Sequence, residues 1–259
     1  MPPQPPCRRD SAGEPIAIEL IAVLQDNYVF VLRCGSRAVV VDPAVAEPVR
    51  RWLDARGLQL EAVLQTHHHA DHIGGTPALL RHWPEAAVIA AAADRARIPF
   101  QTHGVADGDR LEHLGRRVEV LAVPGHTAHH LAFHLPGDDG VAGDLFCGDT
   151  LFAGGCGRLF EGTPEQMHRS LARLAGLPET TRVWCAHEYT ATNLAWAATQ
   201  APHDRAIAER LAAVRQRRAA GLPTIPSGIG LEKATNLFLR AGDAAELARL
   251  RQSRNLWQG

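Results

Sequence analysis

Residues 61–75 read EAVLQTHHHADHIGG, and the fold turns on this stretch. The run from Glu61 to Thr66 has the length and apolar content of a buried strand. His67 and His69 lie two residues apart, so an extended backbone aims both side chains to one side and His68 to the other. Asp71 and His72 follow where the chain turns into a helix. Four candidate ligands therefore meet at one strand end, and imidazole with carboxylate suits zinc, iron or manganese. A lone histidine is ordinarily a satisfied core or surface residue, which fits His82, His103, His113, His168 and His203. No packing requirement explains three histidines and an aspartate at the end of one strand.

Three further groups arrive downstream: His126 in Pro-Gly-His-Thr, Asp149 in Cys-Gly-Asp-Thr and His187 in Cys-Ala-His-Glu-Tyr. Each stands just after a predicted strand, where the loops of an α/β body gather function. His129, His130 and His134 fall on or near one strand. His130 is a candidate for orienting a ligand from behind, with a core or surface place equally open.

Around these motifs the chain reads as strands mixed with helices. Three short strands precede Asp42, the last two forming a hairpin. A helix runs from Ala46 to Arg56 and stops at Gly57, and another passes through Leu79 and Leu80. Strands are predicted at Ala87–Ala90, Val118–Ala122, Leu131–Leu135, Leu145–Cys147 and Arg182–Ala186. A helix starts after Thr163-Pro164, a good N-cap followed by a good first-turn residue. After about residue 190 the pattern is helical to the end, so an α/β body with a C-terminal helical subdomain is expected.

The 259 residues are 46% hydrophobic and 21% charged, with a formal net charge of −1. That supports a sizeable core and gives no general pull towards nucleic acid or acidic membranes. The five cysteines are odd in number and irregularly spaced, so a disulfide framework is not expected and a reducing cytoplasm fits. Residues 1–14 read as a disordered tail. Its Cys7-Arg8-Arg9 hints at an export signal, but the apolar run that follows is short and broken by Glu19. No stretch is long and apolar enough to span a bilayer.

THHHADHIGG, PGHT, GDT and the later His187 together resemble the metallo-β-lactamase superfamily over roughly residues 16–190. The resemblance implies an αββα sandwich, with a metallo-β-lactamase domain at 15–190 and a helical substrate-binding subdomain at 191–259. It implies two divalent metal ions, zinc first, with iron or manganese as alternatives. One would take His67, His69 and His126, the other Asp71, His72 and His187, and Asp149 would bridge them.

Residues 148–163, GDTLFAGGCGRLFEGT, and His187-Glu188-Tyr189-Thr190 look like bacterial-type glyoxalase II. Asn236–Arg240 and the last helix, with Arg251, Arg254 and Trp257, are similar to that family's substrate-binding tail. The implied activity is hydrolysis of S-D-lactoylglutathione to D-lactate and glutathione by a metal-bridging hydroxide, with Asp71 as ligand and candidate proton acceptor. Arg158, Arg251 and Arg254 would grip the glycine end of glutathione, and Tyr189 would hydrogen-bond the peptide. Phe160 stands where the animal-type pattern has Tyr, which leaves it packing only; Arg254 stands where that pattern has Lys. The substrate is a small molecule, and a monomer needs no special assumption. The rivals are a mononuclear-iron persulfide dioxygenase on the same fold and a metal-binding homologue without turnover. Protonation of the histidine ligands should make activity fall in acid. A pH–rate profile that stays flat down to about pH 4, well below the ordinary imidazole range, contradicts the ligand set.

Overall fold

A computed structural model describes residues 16–137 and 140–258. The expected tail at 1–14 lies outside them. The described residues fall into two compact units, one of residues 16–121 with 131–135 and one built from residues 122–130 and those described after 135.

The first unit begins with β1 (Ala17–Val23), β2 (Asn27–Cys34) and β3 (Arg37–Val41), an antiparallel run that includes the expected hairpin. The helix α1 (Ala46–Asp54) then leads to β4 (Gln59–Leu64), which lies parallel to β3. A short helix α2 (Ala70–Ile73) and α3 (Thr76–His82) lead to β5 (Ala87–Ala91), and β6 (His103–Val105) completes a six-stranded sheet in simple chain order. The hairpin β7 (Arg110–His113) and β8 (Arg116–Ala122) turns at Leu114-Gly115, both with positive φ, the primed geometry that matches strand twist. Next to β8 lies β9 (Leu131–Leu135).

Alternate residues of β2 and β3 are buried on both faces, which is why these strands read as unbroken apolar runs. Val29, Val31, Val40, Val63 and Val88 pack with Val49 and Leu53 of α1 and Leu79 of α3. These helical residues sit at spacings of three to four, so one stripe of each helix faces the sheet.

In the second unit, β10 (Asp144–Gly148) runs parallel to β13 (Arg182–Cys185), joined through α4 (Pro164–Ala175). Thr163 and Gln166 form the capping box that the Thr-Pro signal leads one to expect. Between β10 and α4 sits a tight hairpin of β11 (Leu151–Phe152) and β12 (Gly155–Cys156). The helices α5 (Thr190–Gln200), α6 (Arg205–Ala219), α7 (Ile229–Thr235), α8 (Leu237–Arg240) and α9 (Ala244–Leu256) follow. The helical tail is interrupted once, by β14 (Ser227–Gly228) paired to β13. Trp196 of α5 stacks on Phe238 of α8 at 5.1 Å, and both are buried. Among the described residues no helix is long and apolar enough to cross a membrane.

Leu53 is fully buried while Arg50, one turn away, is on the exposed face of α1. Leu53→Ala should cost about 2–5 kcal/mol through lost burial and a residual cavity, and Arg50→Ala under about 1 kcal/mol, measured by urea unfolding.

Candidate metal centre

In the first unit the histidine-rich turn leaves the end of β4 and enters α2. His67 Nε2 and His69 Nδ1 come within 3.0 Å of each other, and His72 Nε2 lies 3.8 Å from Asp71 Oδ2. The backbone of Asp42, just past β3, has φ +47°, a conformation that Asp tolerates better than most residues. Its carboxylate is buried and takes three donors. Thr66 N–H donates to Oδ1 at 2.8 Å, the Thr66 hydroxyl to Oδ2 at 2.6 Å, and His72 Nδ1–H to Oδ2 at 2.9 Å. The Thr66 hydroxyl has spent its proton on Asp42, so its oxygen accepts His67 Nδ1–H at 3.0 Å. One carboxylate thereby fixes the tautomer of two imidazoles and leaves each Nε2 with an outward lone pair. Candidate ligand atoms of Asp42, His67 and His72 all lie within 4.8 Å of one another. Asn27 at the start of β2 donates its amide to Asp71 Oδ2 at 3.1 Å and to the Asp71 carbonyl at 3.2 Å, which sets the carboxylate's orientation. His68 turns instead to Asp94, at 3.6 Å, and Arg97.

The second unit holds the remaining candidates on the loops that follow β8, β10 and β13. Asp149 splits its carboxylate between two imidazoles, with Oδ2 3.4 Å from His126 Nε2 and Oδ1 3.3 Å from His187 Nε2. His126 Nδ1–H donates to the Arg158 carbonyl at 2.8 Å, again leaving Nε2 as the free lone pair. Fully buried His130 accepts Asp149 N–H on Nε2 at 3.1 Å, and its Nδ1 is 3.3 Å from the Thr150 hydroxyl, which reaches the Val123 carbonyl. His130 thus holds the backbone of Asp149 in place. A Cβ on Gly157 would stand 1.9 Å from the Asp149 carbonyl oxygen, so only glycine fits there.

Beside this lie the expected substrate residues. Tyr189 stacks parallel on His187 with ring centres 4.8 Å apart, and Glu188 anchors the segment by accepting from the backbone and hydroxyl of Thr224. Phe160 is 63% exposed and sets its edge against the His126 ring at 5.2 Å. Arg158 is exposed. Arg251 is buried, donating Nη1 to the Cys156 carbonyl at 2.6 Å and lying over the Phe238 ring. Arg254 reaches Asn193 Oδ1 at 3.3 Å. Burial, then the positive charges of Arg251 and Arg158, pull the Arg254 guanidinium below its usual pKa. Three mutually repelling cations grouped this way suit an anionic ligand.

Cys147, Cys156 and Cys185 are free and buried. Burial pushes all three thiols up, Cys185 to about 12, so none supplies a thiolate at neutral pH. They are packing residues, as their sequence context suggests.

Asn27, Asp42 and Thr66 carry no part of the sequence reading, yet they orient the candidate ligands. The available signal for Asp42 is a carboxylate ending the buried run Val39-Val40-Val41 just before Pro43. Asp42→Asn should weaken metal binding about 10–100-fold, measured by competition with a chromogenic chelator.

Residues 23–187 match the metallo-beta-lactamase superfamily, and residues 188–257 match the hydroxyacylglutathione hydrolase C-terminus. The hydroxyacylglutathione hydrolase of Synechococcus sp. (strain WH7803) is 60% identical over 246 residues, covering 94% of this chain and 96% of that one. The crystal structure of ETHE1 from Myxococcus xanthus superposes with a TM-score of 0.69 at 25% identity, over 94% of this chain and 93% of that one. TTHA1623 in a di-iron-bound form gives a TM-score of 0.60 at 26% identity, over 86% of this chain and all of that one. Two consecutive matches that account for nearly all the described residues, and a relative sharing three residues in five, lead to one assignment: the chain is a metallo-β-lactamase-fold α/β protein of the hydroxyacylglutathione hydrolase (glyoxalase II) family.

Proposed function

We propose that the chain hydrolyses S-D-lactoylglutathione to D-lactate and glutathione with two divalent metal ions. One is held by His67, His69 and His126, the other by Asp71, His72 and His187, with Asp149 between them. The observation that carries this reading is the Asp149 carboxylate, which sets one oxygen beside Nε2 of each of two imidazoles, His126 having its far nitrogen taken by the Arg158 carbonyl and His187 its ring face stacked on Tyr189. Neutral imidazoles and carboxylates in this ratio suit zinc, with iron and manganese compatible.

When bound, such metals lower the pKa of water from about 15.7 to about 7 and polarise a carbonyl oxygen. The chain's own residues do the rest. Asp42 orients His72 directly and His67 through Thr66, turning each Nδ1 inward and presenting Nε2, and the Arg158 carbonyl does the same for His126. Asn27 donates to Asp71 Oδ2 and so orients the carboxylate that serves in this reading as proton acceptor. Arg158 and Arg254 take the substrate carboxylates, since a planar guanidinium pairs with carboxylate through two hydrogen bonds. Arg251 backs them by fixing the Cys156 carbonyl. Tyr189 is held by its stack on His187 to offer its hydroxyl to the peptide, and exposed Phe160 supplies apolar contact. The leaving thiolate is stable enough to need no acid from the protein. The protein acts in this reading as a monomer in the cytoplasm on a free small molecule. A mononuclear site on His67, His69 and His126 would leave Asp71, His72 and His187 without a task.

Metal-replete protein should release thiol from S-D-lactoylglutathione, followed with a thiol reagent, and should not consume oxygen with glutathione persulfide. Arg158→Ala should raise KM about tenfold or more, the loss of one charged hydrogen-bonding partner. Its metal content should stay unchanged, because the carbonyl that orients His126 survives the substitution.

A further inference from the structure

The β11–β12 hairpin cannot hold itself. It pairs only Leu151 with Cys156 and Phe152 with Gly155, far too short a ladder for independent stability. Five consecutive residues of it are instead gripped by helical side chains. Asn236 donates to the carbonyls of Phe152 at 3.1 Å and Gly155 at 3.0 Å, and Asn193 donates to that of Ala153 at 3.2 Å. Gly154 N–H donates to Glu232 Oε2 at 2.8 Å, and Arg251 donates to the Cys156 carbonyl. Two residues later comes Arg158, whose carbonyl receives His126.

Glu232 is the hub of this grip. It is fully buried, and both its oxygens are in use. Oε2 takes Gly154 N–H and the Asn236 amide; Oε1 takes Arg210 Nη2 and the Ser227 hydroxyl. Arg210, itself buried, donates its other nitrogen to Thr235. Taking two charges out of water is costly, and apolar residues of similar volume are often at least as stabilising. Stability alone therefore does not account for the pair. What an apolar pair cannot do is point an acceptor at the Gly154 amide and hold Asn236 to two carbonyls.

We propose that Glu232, with Arg210 and Asn236, is a positioning device that fixes the β11–β12 hairpin and through it sets Arg158 for binding of an anionic substrate. The proposal rests on the thioesterase reading for its substrate. The experiment compares wild type, Asn236→Ser and the double variant Arg210→Met/Glu232→Leu, all full-length and metal-replete. Serine still caps the helix that Asn236 begins but is too short to reach the hairpin carbonyls. Both variants should raise KM for S-D-lactoylglutathione about tenfold, with kcat within about threefold, and should keep wild-type metal content. Amides of residues 152–158 should exchange faster with deuterated solvent. The double variant, assayed well below its own melting temperature where it is fully folded, should still show the raised KM with near-wild-type kcat, which a purely structural role would not produce. Wild-type KM in Asn236→Ser, or in a folded double variant, overturns the proposal. If the double variant does not fold, Asn236→Ser decides. A wild-type control without thioester turnover counts against the thioesterase reading instead, and amide exchange then reports on the grip itself.

Discussion

A neutral imidazole carries one N–H, and a histidine that is to face a cation must give that proton to something else. The site is organised around this constraint. In the first unit the proton of His72 goes to Asp42 and that of His67 goes to Thr66, whose own proton goes to Asp42. In the second unit the proton of His126 goes to the Arg158 carbonyl. Each acceptor is fixed by local backbone: Asp42 by its left-handed φ, and Arg158 by the hairpin before it. The candidate ligands are therefore oriented by the fold at strand ends, which would limit the reorganisation that cation binding imposes.

Much of this was legible in the sequence, and the boundary of legibility has a physical explanation. His67, His69, Asp71 and His72 announce themselves because they share one short segment. His126, Asp149 and His187 do so because each follows a predicted strand. Asp42 and Asn27 act across 24–44 residues of chain, and no local spacing marks such a partnership. His130 was left open between orienting and packing, since its role depends on the amide of Asp149 lying against its ring. The elements that escaped prediction are short and polar or glycine-rich: β6, β7, the β11–β12 hairpin and β14. Their strand character comes from the partners they meet rather than from hydrophobic alternation. β14 in particular interrupts a tail whose composition is otherwise helical.

The arginines divide into two kinds. Arg210 and Arg251 are buried and spend their guanidinium groups on the protein itself, on Glu232, Ser227, Thr235 and the Cys156 carbonyl. Arg158 is exposed and Arg254 half-buried, and burial, followed by the field of Arg251 and Arg158, lowers the proton affinity of Arg254. Such a field favours an incoming carboxylate without any rearrangement, because the cations are already in place when the ligand arrives.

Gly157 has a bearing on how this family can diversify. With the Asp149 carbonyl where its side chain would begin, Gly157 admits no larger residue, so the loop cannot gain bulk beside the candidate ligand Asp149. Phe160, 63% exposed with one edge against His126, leaves room for change on its solvent side. A library aimed at new acyl or thiol groups gains most from randomising Phe160 and leaving Gly157 untouched.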